Sequence, residues 1–155
     1  MKKVLPRIPI VEKLDDFIKI KNIGQELAKL HLDYENVKMY NKCDILIKNE
    51  NYIVDKMKFG SGKDKTIIHY NNNILIKNIP LKAYEYVISG KSAIEWIMER
   101  YSVTFDKKSG ISNNPNDWCK EVNDEKYIFN LLLRIINVSI KTVDLINQIP
   151  KLNLE

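Results

Sequence analysis

An α+β fold, with a small antiparallel β-sheet packed against helices and a helical C-terminal half, is what this 155-residue sequence predicts. Three observations carry the expectation. Apolar residues recur at three–four spacing before residue 35 and again after residue 126. Between them, residues 44–79 break into short runs rich in Ile, Val, Tyr and Phe, and those runs are separated by Asn, Gly, Asp and Lys. The length suits one domain with a real core, since domains most often hold roughly 100–150 residues. Residues 1–155 are therefore read as a single domain or fragment, with a basic helix and sheet over 1–78 and a helical scaffold over 79–155.

Each element has its own signal. In VEKLDDFIKIKNIGQELAKLHLDYE, Ile20, Ile23, Leu27, Leu30 and Tyr34 form one helical stripe. Leu14, Phe17 and Ile18 form another, shifted in phase, with Gly24 between them. The segment is either one bent helix or two short ones joined near Asn22–Gly24. DILIK, YIVDKMKF, KTIIHY and NILIKNI read as strands, with Asn71–Asn72–Asn73 as a turn because Asn tolerates left-handed backbone. Alternation in YIVDKMKF predicts Ile53, Asp55, Met57 and Phe59 on one face and Tyr52, Val54, Lys56 and Lys58 on the other. Pro80 suits the first position of a helix over LKAYEYVIS, which Gly90 would stop. Ser92 and Glu95 have the spacing of a capping box opening a buried helix, SAIEWIMERY. SGISNNPNDW reads as a loop. The last segment carries an inner stripe of Ile128, Leu131, Leu132, Ile135, Val138, Thr142 and Ile146, widened by Leu133, Ile136, Ile140 and Val143, and Pro150 helps to stop it.

Composition narrows the function. No window approaches the ~18 consecutive apolar residues of a membrane span, and Pro6, Arg7 and Pro9 interrupt any signal-peptide core in MKKVLPRIPIV. A cytoplasmic location without membrane association is expected. Leu154–Glu155 and Met1 are compatible with added residues and carry no functional weight. Cys43 and Cys119 form no CxxC and no cluster with His31 and His69, so reduced thiols and no metal site are expected. The net charge of +5 is uneven: residues 1–78 hold 15 basic and 10 acidic side chains, whereas 79–155 hold 10 of each. A basic half of this kind fits a nucleic-acid footprint.

The motifs that would carry catalysis fail on inspection. GSGKDK at 60–65 lacks the Ser or Thr that a P-loop places after its lysine to bind magnesium, and Asp64 stands there instead. Met57 occupies the place of the first P-loop glycine. Asp117 with Asp124–Glu125–Lys126 mimics a PD-(D/E)xK nuclease, but the second group opens a helix where that nuclease needs a strand. NNPNDW echoes the NPPY-like loop of amino-methyltransferases, with Asn116 and Asp117 in the wrong places and no glycine-rich cofactor loop before it. His31, near a helix end, is expected to be structural. His69 ends a strand and faces either solvent or a phosphate, and no nucleophile has a base beside it. What remains is the run from 52 to 77, with five lysines and two acidic residues. Lys56, Lys58, Lys63 and Lys65 are candidates for phosphate contacts, with Lys77 nearby. His69, Asn72 and Asn73 are candidates for base-edge or sugar contacts. Lysines on strand edges also deter edge-to-edge aggregation, and that reading stays open.

Several strings resemble the C-terminal specificity region of the Type ISP restriction–modification enzymes, which are single-polypeptide, helicase-like enzymes of bacteria. They are RIPIV at 7–11, GQELAKLHLDYE at 24–35, VDKMKF at 54–59, IPLKAYEYVISGKSAIEWIMERY at 79–101 and SGISNNPNDW at 109–118. The resemblance runs in order from about Arg7 to about Leu152. It implies a target-recognition part of an enzyme that elsewhere carries a nuclease, a superfamily-2 motor and an adenine methyltransferase. Double-stranded DNA and the methyltransferase and helicase parts of the same polypeptide are the implied partners. ATP, magnesium and S-adenosylmethionine are implied for the parent enzyme and no cofactor for this chain, which is expected to be non-catalytic by itself. A docking module that holds the methyltransferase and motor in register is the rival expectation, suggested by the neutral, apolar C-terminal half.

Overall fold

The computed structural model describes residues 11–151, so most of the string at 7–11, the start at Met1 and Leu154–Glu155 lie outside the described residues. Helix α1 spans Leu14–Leu32 without a break, and Gly24 stays within it. The two phase-shifted stripes are two faces of one helix. Ile23 is buried, with Ile20, Leu27 and Leu30 half-buried on the side facing the final helix. Leu14, Phe17 and Ile18 lie in solvent.

The expected antiparallel sheet is present. Its strands are β1 (Asp44–Ile47), β2 (Lys58–Phe59), β3 (Ile68–His69) and β4 (Ile74–Lys77), in the order β1-β4-β3-β2. The YIVDKMKF alternation, however, does not run through. Tyr52 and Val54 point inward and Ile53 outward, yet Met57 and Phe59 also point inward. The phase slips at Asp55 because the stretch before it has a non-local partner. The Asn116 amide accepts from Val54 N–H at 2.9 Å and donates to Val54 C=O at 2.8 Å, while Asp55 C=O accepts from Val103 N–H. These bonds replace a strand ladder, and pairing starts only at Lys58.

After Pro80 the chain makes one 3-10 turn, Leu81–Tyr84, and not the helix expected over LKAYEYVIS. It then forms a tight hairpin, β5 (Val87–Ile88) with β6 (Lys91–Ser92). Ser89 and Gly90 both take positive φ, 50° and 87°, which is the geometry of a two-residue hairpin turn. Helix α2 follows (Ala93–Arg100), with the Ser92–Glu95 capping box formed as expected. Ile94 and Met98 are buried, but Trp96 sits at the surface, its indole N–H donating to Ile88 C=O at 2.8 Å. The stretch expected to be a loop, 109–118, contains β8 (Ser112–Asn113), which pairs with β7 (Thr104–Phe105) just before it, and the start of a short helix α3 (Asn116–Glu121). Helix α4 (Tyr127–Ile146) carries the expected stripe, buried from Ile128 to Val143, with Ile146 exposed. It packs on α1, α2, α3 and the 3-10 turn, which is why it needs two widened apolar faces. One cluster of buried side chains draws on the inner face of the sheet, α2 and α4 together. Among the described residues no helix is long and apolar enough to cross a membrane.

The cap also sets a pH dependence. Burial alone would raise the Glu95 carboxyl, but bonds from the Ser92 hydroxyl and amide and the Lys65 ammonium outweigh it and hold Glu95 at about 2. A depressed folded value contributes stability above the unfolded value, near 4.5, and loses it as pH falls towards about 2. Glu95→Gln is expected to remove on the order of 1–2 kcal/mol at neutral pH. It should also flatten the stability–pH curve between those values. Urea melts at stepped pH check both effects, and an unchanged slope would refute the assignment.

Candidate nucleic-acid interface

Pairing register assigns each strand residue to a face, because cross-strand partners point the same way. One row, Phe59–Ile68–Ile76, faces the core, and Ile45 continues it on the edge strand, where it stays exposed. The adjacent row, Lys58–His69–Leu75–Leu46, faces outward, and Lys77 lies beside Asp44 on that same side. Lys58 and His69 are thus direct neighbours on the solvent face, with Lys77 one alternation along β4. Among the described residues neither Lys58 nor Lys77 takes part in an ion pair. The outer face combines two free ammonium groups, an imidazole and the apolar Leu46 and Leu75.

The GSGKDK segment is a turn, as its sequence suggests. Gly60 packs tightly there, since a Cβ would lie 3.0 Å from Ile67 Cβ. Gly62 and Lys63 both adopt left-handed backbone, with φ of 65° and 64°. Asp64 faces its own turn: its carboxylate accepts from Thr66 N–H and Oγ–H at 2.9 and 2.7 Å, and those bonds lower its pKa. The residue that excludes phosphate-loop chemistry is therefore the clasp of the turn. Lys63 projects into solvent. Lys65 does not. Its ammonium lies 2.9 Å from Glu95 and 5.8 and 5.3 Å from the ring centroids of Phe59 and Tyr84, so it ties the turn to α2.

At the other end of β3, Asn71 organises the triple-asparagine turn. Its Oδ1 accepts from the amides of Asn73 and Ile74, and its Nδ2 donates to Asn51 and Ile53 C=O. Asn72 is exposed and Asn73 half-buried, and among the described residues neither side chain has a hydrogen-bond partner within the chain. Lys63 and the two asparagines mark opposite ends of the sheet, and only Lys58 and His69 lie side by side. Lys56 borders a separate groove between the sheet and α2, lined also by Met57, Glu95, Glu99 and Thr104.

A feature that the sequence reading passed over stands beyond that groove. The ribbon β7–β8 projects from the end of α2, with Phe105 64% and Ile111 65% exposed and Lys107 and Lys108 at its tip. The signal was present in FDKKSGIS, where Ser109–Gly110 reverses the chain between Phe105 and Ile111. Beside the ribbon's root, Trp96, Arg100, Tyr101, Trp118 and Tyr127 line an open groove of about 720 Å³.

The remaining reactive side chains are occupied structurally. Burial, with Asp44 nearby, pushes the Cys43 thiol up to about 11, and burial also raises Cys119. Both are free thiols held in their protonated form. His31 bonds Thr142 Oγ1 at 2.9 Å and stacks on Tyr86 at 5.4 Å, a structural role as expected. Asp117 pairs with Lys120 on α3, and Asp124 accepts from the Lys126 amide in the turn that leads into α4, so the nuclease-like letters fall on a helix and a turn and not on a strand.

Comparison with known proteins places the chain. A family model described as the Type ISP C-terminal specificity domain matches residues 1–131. The chain is similar to the ATP-dependent Type ISP restriction–modification enzyme LlaBIII bound to DNA, at 46% identity and a TM-score of 0.87, over 99% of this chain and 10% of that one. It is also similar to a nuclease-deletion mutant of the Type ISP enzyme LlaGI in complex with a DNA substrate mimic, at 44% identity and a TM-score of 0.86, over 99% of this chain and 14% of that one. A DrdV–DNA complex shares the fold at 24% identity and a TM-score of 0.73, over 96% of this chain and 15% of that one. No curated protein matches. The chain spans between about a tenth and a seventh of the length of these solved structures.

Proposed function

The chain belongs to the Type ISP C-terminal specificity domain family, and from that premise we propose that it is a DNA target-recognition module of a single-chain restriction–modification enzyme. The observation that carries this reading is the match of 99% of the chain to one part of a DNA-bound Type ISP enzyme. The outer sheet face supports it physically, since Lys58 and Lys77, neither in an ion pair among the described residues, lie on the same face as an imidazole. Ammonium groups there neutralise phosphates and set register, while His69, Asn72 and Asn73 offer the hydrogen-bonding atoms that reach sugars or base edges. In this proposal the chain performs no chemistry. ATP, magnesium and S-adenosylmethionine serve the motor, nuclease and methyltransferase parts of a parent polypeptide, which is cytoplasmic.

The test is a titration of the full chain against short duplexes across salt concentration. Lys58→Ala and Lys77→Ala are each expected to make the log–log salt slope shallower by about 0.9 and to weaken different duplexes by similar factors. Lys63→Ala should act in the same direction. Lys65→Ala should leave the slope unchanged, because Glu95 already neutralises that ammonium. Equal slopes for all four variants and the parent chain would remove the sheet face from the interface.

A docking module is the second reading, and the exposed apolar stripe Leu14, Phe17 and Ile18 on α1 favours it. A module of this length within a much longer relative has neighbours to contact. Absence of duplex binding even at low salt would select that reading over direct recognition.

A further inference from the structure

We propose that the Thr104–Asn113 hairpin is a second DNA-reading element, a β-ribbon that enters the major groove with Lys107 and Lys108 on phosphates and Phe105 and Ile111 against thymine methyl groups. The inference rests on the target-recognition reading and deepens it. It begins from the ribbon's isolation. Thr104 pairs with Asn113 and Phe105 with Ser112, and Asp106 N–H donates to Ile111 C=O at 2.9 Å, so the two strands continue to the tip. Residues 103–114 are all exposed. In this register Phe105 and Ile111 belong to opposite faces of the ribbon, and both are about two-thirds exposed. A hairpin packed on its own domain covers one face; this one leaves both open. Two bare faces suit a slot with two walls, and the major groove, about 12 Å wide, admits a two-stranded ribbon.

The tip supplies the charge. The Asp106 carboxylate turns back and accepts from the Lys108 amide at 2.8 Å, and Gly110, at φ 73°, closes the loop with its N–H on Asp106 C=O. The one acidic side chain of the tip is thus committed to holding its shape. Lys107 and Lys108 project without an ion pair among the described residues. Cations at the end of an apolar ribbon complement a phosphate-walled groove lined with methyl groups. An apolar protein surface would leave both ammonium groups without a partner.

The ribbon also lies beside an earlier candidate. Val103 N–H donates to Asp55 C=O at 2.8 Å, and Thr104 shares a groove with Lys56. Lys56 therefore flanks the root of the ribbon, where a groove wall would pass.

The experiment uses the full chain and a pool of short duplexes with a randomised core, from which a preferred sequence is selected. The double variant Lys107→Glu/Lys108→Glu lies at an exposed tip and should fold normally. It is expected to weaken all duplexes by at least about tenfold and to make the salt slope shallower by about 1.8. Phe105→Ser is expected to narrow the gap between selected and random duplexes, by roughly tenfold at a thymine position. Replacing the selected thymidines by deoxyuridine removes only the methyl groups. That change should weaken the parent chain and leave Phe105→Ser nearly unaffected. Unchanged affinity and slope in the double variant would overturn the proposal, and a ribbon that serves a protein partner would give that result. Indifference of the parent chain to deoxyuridine would overturn groove entry. A parent chain that binds no duplex at all overturns both this inference and the target-recognition reading beneath it.

Discussion

Asn116→Ala is expected to cost the fold about 3 kcal/mol, because it strands two buried backbone groups at once. Val54 is fully buried, and its N–H and C=O both bond the Asn116 amide, which also donates to Asn114 Oδ1 at 2.7 Å. Alanine leaves a donor and an acceptor of the fully buried Val54 without protein partners. Each such group typically costs about 1–3 kcal/mol. Asn116→Asp is nearly isosteric and keeps an acceptor for Val54 N–H, but it cannot donate to Val54 C=O or Asn114 and would bury a charge. It should be at least as destabilising at neutral pH. Asn114→Ala removes two bonds nearer the surface, those from the Asn116 backbone and side-chain amides to Asn114 Oδ1, and should cost less, about 1 kcal/mol, because Asn114 is exposed. Urea midpoints at constant slope measure the series. Equal stabilities of Asn116→Ala and the parent chain would show that the clamp contributes nothing.

The clamp reaches the proposed interface as well. Residues 52–55 lead directly into Lys56 and β2, and Asp55 C=O anchors the root of the β7–β8 ribbon through Val103. Loosening Val54 loosens the ground on which both proposed DNA-contacting elements stand. Asn116→Ala is therefore expected to weaken duplex binding without changing the number of phosphate contacts, giving lower affinity at an unaltered salt slope. A direct phosphate ligand behaves in the opposite way, and the slope separates the two roles.

This pair of residues also explains where the sequence stopped being legible. Helix α4, the capping box, the asparagine turn and the texture of the strands are local patterns, and each formed as read, while the helical periodicity of α1 was read but not its continuity through Gly24. The strand alternation through Asp55 failed because its partner, Asn116, lies 62 residues away and nothing near Val54 announces it. The ion pair of Lys65 was hidden for the same reason. A lysine in a turn reads as a free cation until Glu95, 30 residues later, is brought to 2.9 Å. The helix expected over LKAYEYVIS missed a legible cue, since Ser89–Gly90 directly after the β-branched Val87–Ile88 is a turn signal. For the candidate site, composition names Lys58 and His69, but their shared face follows only from the register of β2 with β3, which the sequence could not supply.

Phe129→Ala is expected to be the most damaging single change, at about 3–5 kcal/mol, because it removes the joint between the sheet and the helical half. Phe129 is 6% exposed, and its ring lies 5.4 Å from both Tyr52, inclined at 59°, and Tyr70, inclined at 82°. Tyr70 is itself fully buried and donates its hydroxyl to Tyr52 C=O at 2.8 Å, so the three rings lock the segment before β2, the end of β3 and α4 together. Phe129→Leu retains part of the apolar volume and should cost roughly half as much. If residues 1–78 and 79–155 form one domain, either variant lowers one shared unfolding transition. Two native probes can test this, one in each half. Both tryptophans, Trp96 and Trp118, lie in the second half, while Cys43 lies in the first as a half-buried thiol slow to ionise. Tryptophan fluorescence and alkylation of the Cys43 peptide should give coincident urea midpoints in the parent chain and shift together in Phe129→Ala. If Cys43 became reactive at lower urea than the fluorescence change, the halves would be separable, and the sheet, with its proposed recognition surface, would be held to its scaffold by less than this cluster implies.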